Sequence, residues 1–326
     1  MKNIFVTGGA GYVGASLVPK LLEKGYKVTV LDLMIYGERV LPTHANLKII
    51  KGDIRNQQLL KKIIPGHECL IHLACISNDP SFELNPVLGK LINLDSFNPL
   101  VKISKKNGIQ RFIYASTSSV YGIKKEKEVD ENMILDPLTD YSRFKADCEK
   151  ILLSYQSEDF TTIIIRPATV CGYSPRQRLD LVVNILTNFA YHKREIKVFG
   201  GNQLRPNIHI NDMINAYIHM IEAPKKIISG QKFNVGYYNQ SVNSLALLVK
   251  KNVGSDVKII NVQSNDDRSY HISSKKIEKI LGFKSKFTVE DAINDLKKAF
   301  QKNLLPNSFN DEKYFNIKRM QSIQLK

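Results

Sequence analysis

A tyrosine followed four residues later by a lysine occurs three times in the sequence, and one of these pairs has the context that proton transfer requires. Tyr141 and Lys145 open a stretch with helical periodicity, where a spacing of four places both side chains on one helix face. Tyr121 is followed by a glycine at the exit of a strand and Tyr314 lies in the C-terminal tail, so neither begins a helix that would align its lysine. A lysine ammonium favours a phenolate, which would let Tyr141 take a proton from an alcohol.

Hydroxyl side chains follow a predicted strand at 111–115, in the run Ser-Thr-Ser-Ser from Ser116 to Ser119. Ligands bind at the carboxyl ends of parallel strands, so these hydroxyls are expected beside the Tyr141 helix. Thr117 would then hydrogen-bond the same alcohol oxygen as Tyr141. The alternative interpretation of the Tyr141/Lys145 pair is an exposed tyrosine beside a solvated lysine.

Glycines recur in the segment Thr-Gly-Gly-Ala-Gly-Tyr-Val-Gly at 7–14, between a predicted strand at 2–6 and a predicted helix at 13–23. Glycines in this place allow a tight turn and let the backbone approach a pyrophosphate. The N-terminus of the following helix offers free N–H groups and a partial positive charge to the anion. The pattern therefore predicts a dinucleotide-binding loop.

Two acidic residues follow the next predicted strands. Asp32 ends the strand at 27–31, where a carboxylate can accept both ribose hydroxyls of NAD and repels the 2′-phosphate of NADP. Asp53 follows the strand at 47–50 and is placed to accept a hydrogen bond from the adenine amino group, with a helix N-cap as the alternative. The sequence therefore predicts NAD as the cofactor.

Strand and helix patterns alternate with short connections over the first half of the chain, which is typical of a parallel sheet covered by helices on both faces. The predicted class is α/β: a Rossmann doubly wound parallel sheet with a smaller C-terminal α/β substrate lobe. Further strands are predicted at 69–73 and 161–165, and further helices at 59–64, 87–106 and 141–155.

Glycines and prolines interrupt this alternation after residue 166, so a second unit is expected. The NAD-binding domain is predicted at 1–170, with 209–236 returning to it. The lobe is predicted at 171–208 and 237–305. The remaining residues, 306–326, form a polar and basic tail that we expect to be mobile or draped on the surface.

The 326 residues carry a formal net charge of +16, which suits nucleic acid, an acidic membrane surface or a phosphorylated small molecule. No nucleic-acid-binding motif accompanies the basic residues. Apolar runs are strand-sized, and the four cysteines show no metal-ligand spacing. We therefore expect no nucleic-acid partner, no membrane association and no metal. The N-terminus has no signal-peptide pattern, so a cytoplasmic location is expected.

Together these motifs resemble those of the extended short-chain dehydrogenase/reductase family, whose members are nucleotide-sugar epimerases, dehydratases and oxidoreductases. The similarity includes His-Leu-Ala at 72–74 and the segment 114–122, and it covers roughly residues 1–300. It implies Thr117, Tyr141 and Lys145 as the catalytic residues. The NAD-binding residues that it implies are Gly8, Gly11, Tyr12, Val13, Asp32, Asp53, Ile54, Leu73, Ala74, Asn93, Tyr141, Lys145 and Pro167.

Arginines clamp the diphosphate of the sugar nucleotide in such enzymes, and two arginines match that role by resemblance. Arg205 lies in a segment, 204–212, that resembles the family's Arg-Asp-Tyr-Ile-His stretch, and Arg268 matches a later phosphate-binding arginine. The alternative for each is a surface ion pair, with Asp212 or with Asp267. The implied substrate-binding residues are Ser118, Thr169, Arg178, Asp180, Arg205 and Arg268.

The loop at 166–172 resembles a family stretch that packs on the nicotinamide, but Thr169 replaces the usual asparagine and Cys171 the usual tyrosine. The following stretch, 174–184, resembles bacterial enzymes that act on surface-polysaccharide precursors, including GDP-heptose 4-dehydrogenases. One side chain of this stretch is expected to reach the substrate where the lobes meet. The candidates are Arg176, Arg178 and Asp180.

The resemblance leaves the reaction open, because all members begin by oxidising a sugar hydroxyl, usually at C4. The 4,6-dehydratases carry an acid pair where this sequence has Ser118 and Ser119, which disfavours dehydration. An epimerase that returns hydride to the other face of a transient 4-keto sugar is the favoured prediction. A 4-dehydrogenase or 4-ketoreductase, for example on a GDP-heptose, uses the same residues. A non-catalytic RNA-binding or scaffolding role is less favoured.

Two partners follow from the resemblance. The first is a nucleotide-diphosphate sugar as substrate. The second is another copy of the chain, with the helices at 87–106 and 141–155 of both copies forming a four-helix bundle.

Overall fold

The computed structural model describes residues 1–264 and 269–325 and has the predicted α/β architecture. Its strands are β1 Asn3–Thr7, β2 Lys27–Asp32, β3 Leu47–Lys51, β4 Cys69–His72, β5 Arg111–Ala115, β6 Thr161–Pro167, β7 Thr169–Cys171, β8 Glu195–Phe199, β9 Leu204–His209, β10 Gln231–Val235, β11 Tyr238–Ser241 and β12 Lys258–Val262. Its α-helices are α1 Gly14–Glu23, α2 Gln57–Ile63, α3 Asp79–Glu83, α4 Pro86–Lys90, α5 Phe97–Lys106, α6 Asp140–Ser154, α7 Val182–Lys193, α8 Ile210–Glu222, α9 Lys225–Ile228, α10 Val242–Val253, α11 Lys275–Leu281, α12 Val289–Gln301 and α13 Asn316–Ile323. A π-helical turn lies at Leu91–Asp95, and 3₁₀ turns lie at Ser118–Tyr121 and Glu312–Tyr314.

Seven of the described strands pair in parallel to form one sheet in the order β10-β6-β5-β4-β1-β2-β3. The chain runs outward from β1 to β3 and then returns to β4 on the other side of β1, so the strand order reverses between β1 and β4. Ligands bind outside the carboxyl ends of the strands at such a switch point. The prediction of a doubly wound Rossmann sheet is confirmed, and β10 returns to it beside β6 as expected.

The sheet is buried on both faces because its central strands are apolar at consecutive positions. Every residue of β4 is buried, as are four of the five residues of β5. Helices α1 and α8 pack against one face, and helices α2, α5 and α6 pack against the other. This layering leaves the carboxyl edge of the sheet as the place where the loops can form a site.

The helix predicted at 87–106 is interrupted. Helix α4 ends at Lys90, the π-helical turn follows, and α5 begins at Phe97. The wider turn holds Asn93 in the interior, where its amide bonds the backbone of the loop after β4. Sequence periodicity does not reveal such a turn because the apolar pattern is averaged over the whole helix.

The smaller lobe is built from two short sheets and three main helices. Strands β11, β9 and β7 form one sheet, β8 and β12 form a parallel pair, and α7, α10 and α12 enclose an apolar cluster with them. Strand β7 begins at Thr169, two residues after β6 ends, and pairs with β9. The lobe therefore starts directly at the carboxyl edge of the large sheet.

The C-terminal segment, residues 306–325, is not the mobile or superficial tail that its polar sequence predicts. Tyr314 and Met320 are buried, and α13 packs against α3. The N–H of Leu179 donates to the Tyr314 carbonyl, and the Arg319 guanidinium donates to the Ile35 carbonyl. Two buried apolar residues in a polar stretch give too weak a pattern to predict this docking.

Two further observations concern the described residues only. None of their helices is long and apolar enough to cross a membrane. Their His, Cys, Asp and Glu side chains do not gather in groups of three or more that could hold a metal ion.

Candidate active site

A cavity of about 1300 Å³ opens at the carboxyl edge of the large sheet. The glycine loop and the ends of β4, β5 and β6 line one side of it, and residues of the lobe line the other. A typical small-molecule site has roughly 300–1,000 Å³, so this cavity can hold a dinucleotide and a second ligand together.

The glycine loop fits the diphosphate of a dinucleotide. Gly8 has φ +73°, and a Cβ built on it would lie 2.5 Å from the backbone nitrogen of Ala74, so only glycine fits there. Gly8, Gly11, Tyr12 and Val13 all line the cavity. The N-terminus of α1 has no side-chain cap and no acidic residue in its first turn, among the residues described, so its N–H groups can bind an anion.

Both predicted acidic residues already have partners within the protein. Asp32 accepts hydrogen bonds from the N–H groups of Ala10 (2.9 Å) and Met34 (2.8 Å), which joins the glycine loop to the end of β2. Asp53 forms an ion pair with Arg55 at 2.6 Å. The N-cap alternative for Asp53 is wrong, because the side chain of Asn56 caps α2. Of the other predicted cofactor residues, Leu73 and Pro167 line the cavity, whereas Ile54 and Ala74 do not.

The predicted catalytic residues are held in the cavity by α6 and by the turn after β5. Tyr141 is the second residue of α6, whose beginning is fixed by a capping box between Thr139 and Ser142. Lys145 lies one turn later, and its Nζ is 5.9 Å from the centre of the Tyr141 ring. Thr117 caps the 3₁₀ turn after β5, and all three catalytic candidates line the cavity.

The electrostatic environment of Tyr141 differs from the sequence prediction. Burial raises the pKa of the Tyr141 hydroxyl, and Cys75 and Asp79 raise it further. Arg178 of the lobe is the foremost charge that lowers the pKa, rather than Lys145. The physical reason is that Lys145 donates a hydrogen bond to the Ala115 carbonyl at 2.7 Å, which holds its ammonium against β5.

Asn93, predicted as a cofactor contact, is buried and does not line the cavity. Its side chain accepts a hydrogen bond from the Ile76 N–H (2.8 Å) and donates one to the Ile76 carbonyl (2.9 Å). Its own carbonyl accepts from the Cys148 thiol at 3.1 Å. Asn93 therefore joins α6 to the loop after β4 and acts on the site through that loop.

The lobe supplies an ion pair at the centre of the cavity. The Arg178 guanidinium donates to both carboxylate oxygens of Asp180, at 2.8 and 3.0 Å, and lies 3.3 Å from the hydroxyl of Ser77. Ser118 and Thr169 line the same cavity. Arg178 and Asp180 line the same cavity as Tyr141, and Arg178 is close enough to affect the pKa of Tyr141.

Arg205 lines the far end of the cavity, and its guanidinium carbon is 5.8 Å from the centre of the Tyr270 ring. The predicted alternative, an ion pair with Asp212, is wrong. The Asp212 carboxylate instead accepts from the N–H groups of Lys286 and Phe287, both at 2.9 Å. Arg268, with its alternative partner, lies outside the described residues.

A buried network beside the catalytic residues was not predicted. The Arg166 guanidinium donates to both oxygens of Glu149, at 2.9 and 2.6 Å, and Ser116 donates to the same carboxylate at 2.5 Å. Arg166 also donates to the Tyr121 hydroxyl at 2.7 Å. The signal was present, since Glu149 follows Lys145 by one helical turn. This network fixes β5, β6 and α6 relative to each other.

The polar segment after β4 was also missed. Ser77, Asn78 and Asp79 line the cavity, and Asn78 adopts a positive φ of 72°. Polar residues that directly follow the carboxyl end of a strand next to the switch point were the available signal.

A dinucleotide loop at the switch point of a Rossmann sheet, with a Thr–Tyr–Lys group at the same edge, defines an NAD-dependent enzyme. Residues 4–236 match the sequence profile of the NAD dependent epimerase/dehydratase family, and the chain belongs to this family. The family is NAD-dependent, its members include enzymes of nucleotide-sugar epimerisation and dehydration, and the predicted resemblance is confirmed.

Epimerases and dehydratases are both similar to this protein over nearly the whole chain. The dTDP-D-glucose 4,6-dehydratase of Homo sapiens is 26% identical, with 93% of this chain and 91% of the human protein covered. A putative UDP-glucose 4-epimerase of Methanocaldococcus jannaschii is 28% identical, with 89% and 95% covered. The crystal structure of a UDP-glucose 4-epimerase from Thermotoga maritima, with UDP-glucose, has a TM-score of 0.84 at 27% identity, covering 93% of this chain and 99% of that one.

Proposed function

We propose that the protein is an NAD-dependent nucleotide-sugar epimerase that acts through a transient 4-keto sugar. The observation that carries this proposal is the cavity, which Thr117, Tyr141 and Lys145 all line and in which serines occupy positions 118 and 119. The first three residues suffice for reversible oxidation of an alcohol. A dehydratase needs acid–base groups at the two serine positions, where a serine hydroxyl is a poor proton donor and acceptor.

The chain's own residues hold and move the proton. Bound NAD supplies the hydride acceptor, and its positive nicotinamide favours the Tyr141 phenolate. Tyr141 takes the proton of the sugar hydroxyl, and Thr117 donates or accepts a hydrogen bond at the same oxygen. Arg178 favours the phenolate by charge and so opposes part of the rise in the Tyr141 pKa that burial causes. Epimerisation further requires room for the keto sugar to turn over, and the cavity volume supports that.

A nucleotide-diphosphate sugar fits the lobe side of the cavity. Lys193, Lys197 and Arg205 line its far end together with the aromatic rings of Phe199 and Tyr270. Cations pair with a diphosphate and aromatic rings stack on a base, so this end suits the nucleotide. The names of the relatives, which carry UDP or dTDP sugars, support the same substrate class. The resemblance also implies that Arg268 contacts the diphosphate of the substrate.

The experiment is to incubate the purified protein and NAD with a panel of UDP-, GDP-, dTDP- and CDP-sugars, and to follow the products by mass spectrometry and proton NMR. We expect a product with the mass of the substrate and with inverted configuration at one carbon of the sugar. Loss of two hydrogens with NADH formation would make the enzyme a 4-dehydrogenase instead. Loss of water would make it a dehydratase, with acid–base groups other than residues 118 and 119.

A further inference from the structure

A buried arginine lies in the part of the lobe that covers the glycine loop. Arg176 is 3 % exposed, and its guanidinium stacks on the ring of Tyr36 with 3.5 Å between the guanidinium carbon and the ring centre. One terminal nitrogen donates to the Asn316 side-chain oxygen at 2.6 Å. Its Nε has no hydrogen-bond partner among the described residues, and none of their carboxylates forms an ion pair with it. A buried guanidinium with an unpaired N–H and no ion-pair partner destabilises the folded protein unless an anion or another acceptor approaches it.

The loop that carries Arg176 is fastened to the cofactor side of the cavity. The Tyr12 hydroxyl donates to the Gly172 carbonyl at 2.7 Å, and the Ser174 hydroxyl donates to the Tyr12 carbonyl at 2.8 Å. The hydroxyls of Ser174 and Ser16 are also 2.9 Å apart. These contacts hold the loop over the N-terminus of α1, where the diphosphate of a dinucleotide would lie.

The surroundings of Arg176 also place it toward the adenosine half of that site. Tyr36, its stacking partner, lies four residues after Asp32 on the loop that follows β2. Arg176 lines the main cavity together with Gly11 and Tyr12. Its charge also lowers the pKa of Asp32, against the effect of burial.

The C-terminal segment holds this arginine in position. The Asn316 side chain accepts from Arg176 and donates to the Ser77 hydroxyl at 2.8 Å. The Asn316 N–H donates to Asp180 at 3.1 Å, so this one residue ties the C-terminal segment to two loops around the cavity. Asn316 itself is buried.

We propose that the Arg176 guanidinium binds the ADP-ribose half of NAD, and that Asn316 is the positioning residue that holds it there. A planar guanidinium suits this role because it can donate two parallel hydrogen bonds to phosphate or ribose oxygens. The C-terminal segment thereby helps to retain the cofactor. Retention would suit an epimerase, which returns its hydride in every cycle, and only this last point rests on the proposed function.

The test measures cofactor binding in the absence of any nucleotide-sugar substrate. Titration calorimetry with NAD and with ADP-ribose is carried out on the wild type, R176A and N316A, with K313A as the control. Lys313 lies in the same C-terminal segment, and its ammonium is 2.7 Å from Asp311. We expect R176A to weaken both ligands at least tenfold, N316A to weaken them by a smaller factor, and K313A to leave them unchanged.

Unchanged affinity of R176A for both ligands would overturn the proposal. So would weakened binding of UDP, dTDP or GDP with unchanged NAD, because it would place Arg176 on the substrate diphosphate. If R176A does not fold, R176K carries the same test, since lysine keeps the charge but loses the planar pair of donors. Because no nucleotide-sugar substrate is present, these outcomes are independent of whether the enzyme proves to be an epimerase.

Discussion

At the scale of single residues, Tyr141 shows how burial and charge compete. Burial raises the pKa of its hydroxyl, so the protein alone favours the neutral phenol. Arg178, which belongs to the lobe, opposes that rise. The pKa of Tyr141 therefore depends on residues from both halves of the cavity, with the effect of burial the larger of the two.

Replacing Tyr141 by phenylalanine removes the proton acceptor and keeps the ring. We expect Y141F to lose about 10²–10⁴-fold in kcat, the usual contribution of general acid–base catalysis, with NAD affinity retained. Steady-state kinetics and calorimetry check this. The control is Y155F, whose hydroxyl bonds Asn98 at the far end of the same helix. Comparable turnover of Y141F and Y155F would exclude Tyr141 as the base.

Replacing Arg178 by methionine tests the electrostatic role of the lobe. Loss of the positive charge raises the pKa of Tyr141 further, and the phenolate is the form that accepts the proton. The rise of kcat with pH should therefore move to higher pH in R178M. The pH profile of kcat measures the shift. A lower kcat with an unmoved profile would limit Arg178 to substrate binding.

At the scale of elements, the interruption between α4 and α5 has a function in holding the site. Asn93 can reach Ile76 because the π-helical turn places its amide in the interior. The loop that begins at Ile76 continues into Ser77, Asn78 and Asp79, which line the cavity. The π-helical turn thus fixes, through Asn93, the position of the loop that forms part of the cavity wall.

Replacing Asn93 by alanine leaves the buried N–H and carbonyl of Ile76 without partners. Each such loss costs about 1–3 kcal/mol, so N93A should be less stable by that order and should also lose activity as the loop loosens. Urea denaturation measures the change. The matched control, N98A, removes an exposed amide of α5 and should stay within about 0.5 kcal/mol of the wild type. Equal stability of N93A and the wild type would contradict the assigned role.

At the scale of the whole molecule, exposed apolar side chains mark one face of the large domain. Val87 is 71 % exposed and Leu91 41 % exposed, and they lie four residues apart along α4 and the π-helical turn. Leu84 is 40 % exposed beside them. These helices are the ones expected to pair in a four-helix bundle, and the exposed side chains support the proposal that two copies of the chain associate there.

A charge on this face should prevent association. We expect the wild type to be a dimer at micromolar concentration and V87E to be a monomer with its fold intact. Light scattering and circular dichroism report both properties. L247E, at a similarly exposed position on α10 of the lobe, is the control. A monomeric wild type would remove the dimer proposal altogether.

Local patterns were sufficient to predict the glycine loop, the helix that carries Tyr141 and Lys145, and a parallel sheet covered by helices. Each depends on residues close together in sequence. The contacts that sequence reasoning missed join distant segments: Asn316 bonds Ser77 across 239 positions, and Arg178 bonds Ser77 across 101. Periodicity carries no information on such pairs, and for the same reason the docking of the C-terminal segment could not be predicted.

The position of Cys75 on the cavity wall makes the site accessible to a chemical label. Cys69 and Cys148 are buried with their pKa raised to about 12, and Cys171 is buried with its pKa raised as well, so these thiols should react slowly. Cys75 is partly exposed and lines the cavity. Brief alkylation should therefore add one label per chain, and its rate, followed by mass spectrometry, becomes a footprint of how much of the cavity a ligand fills.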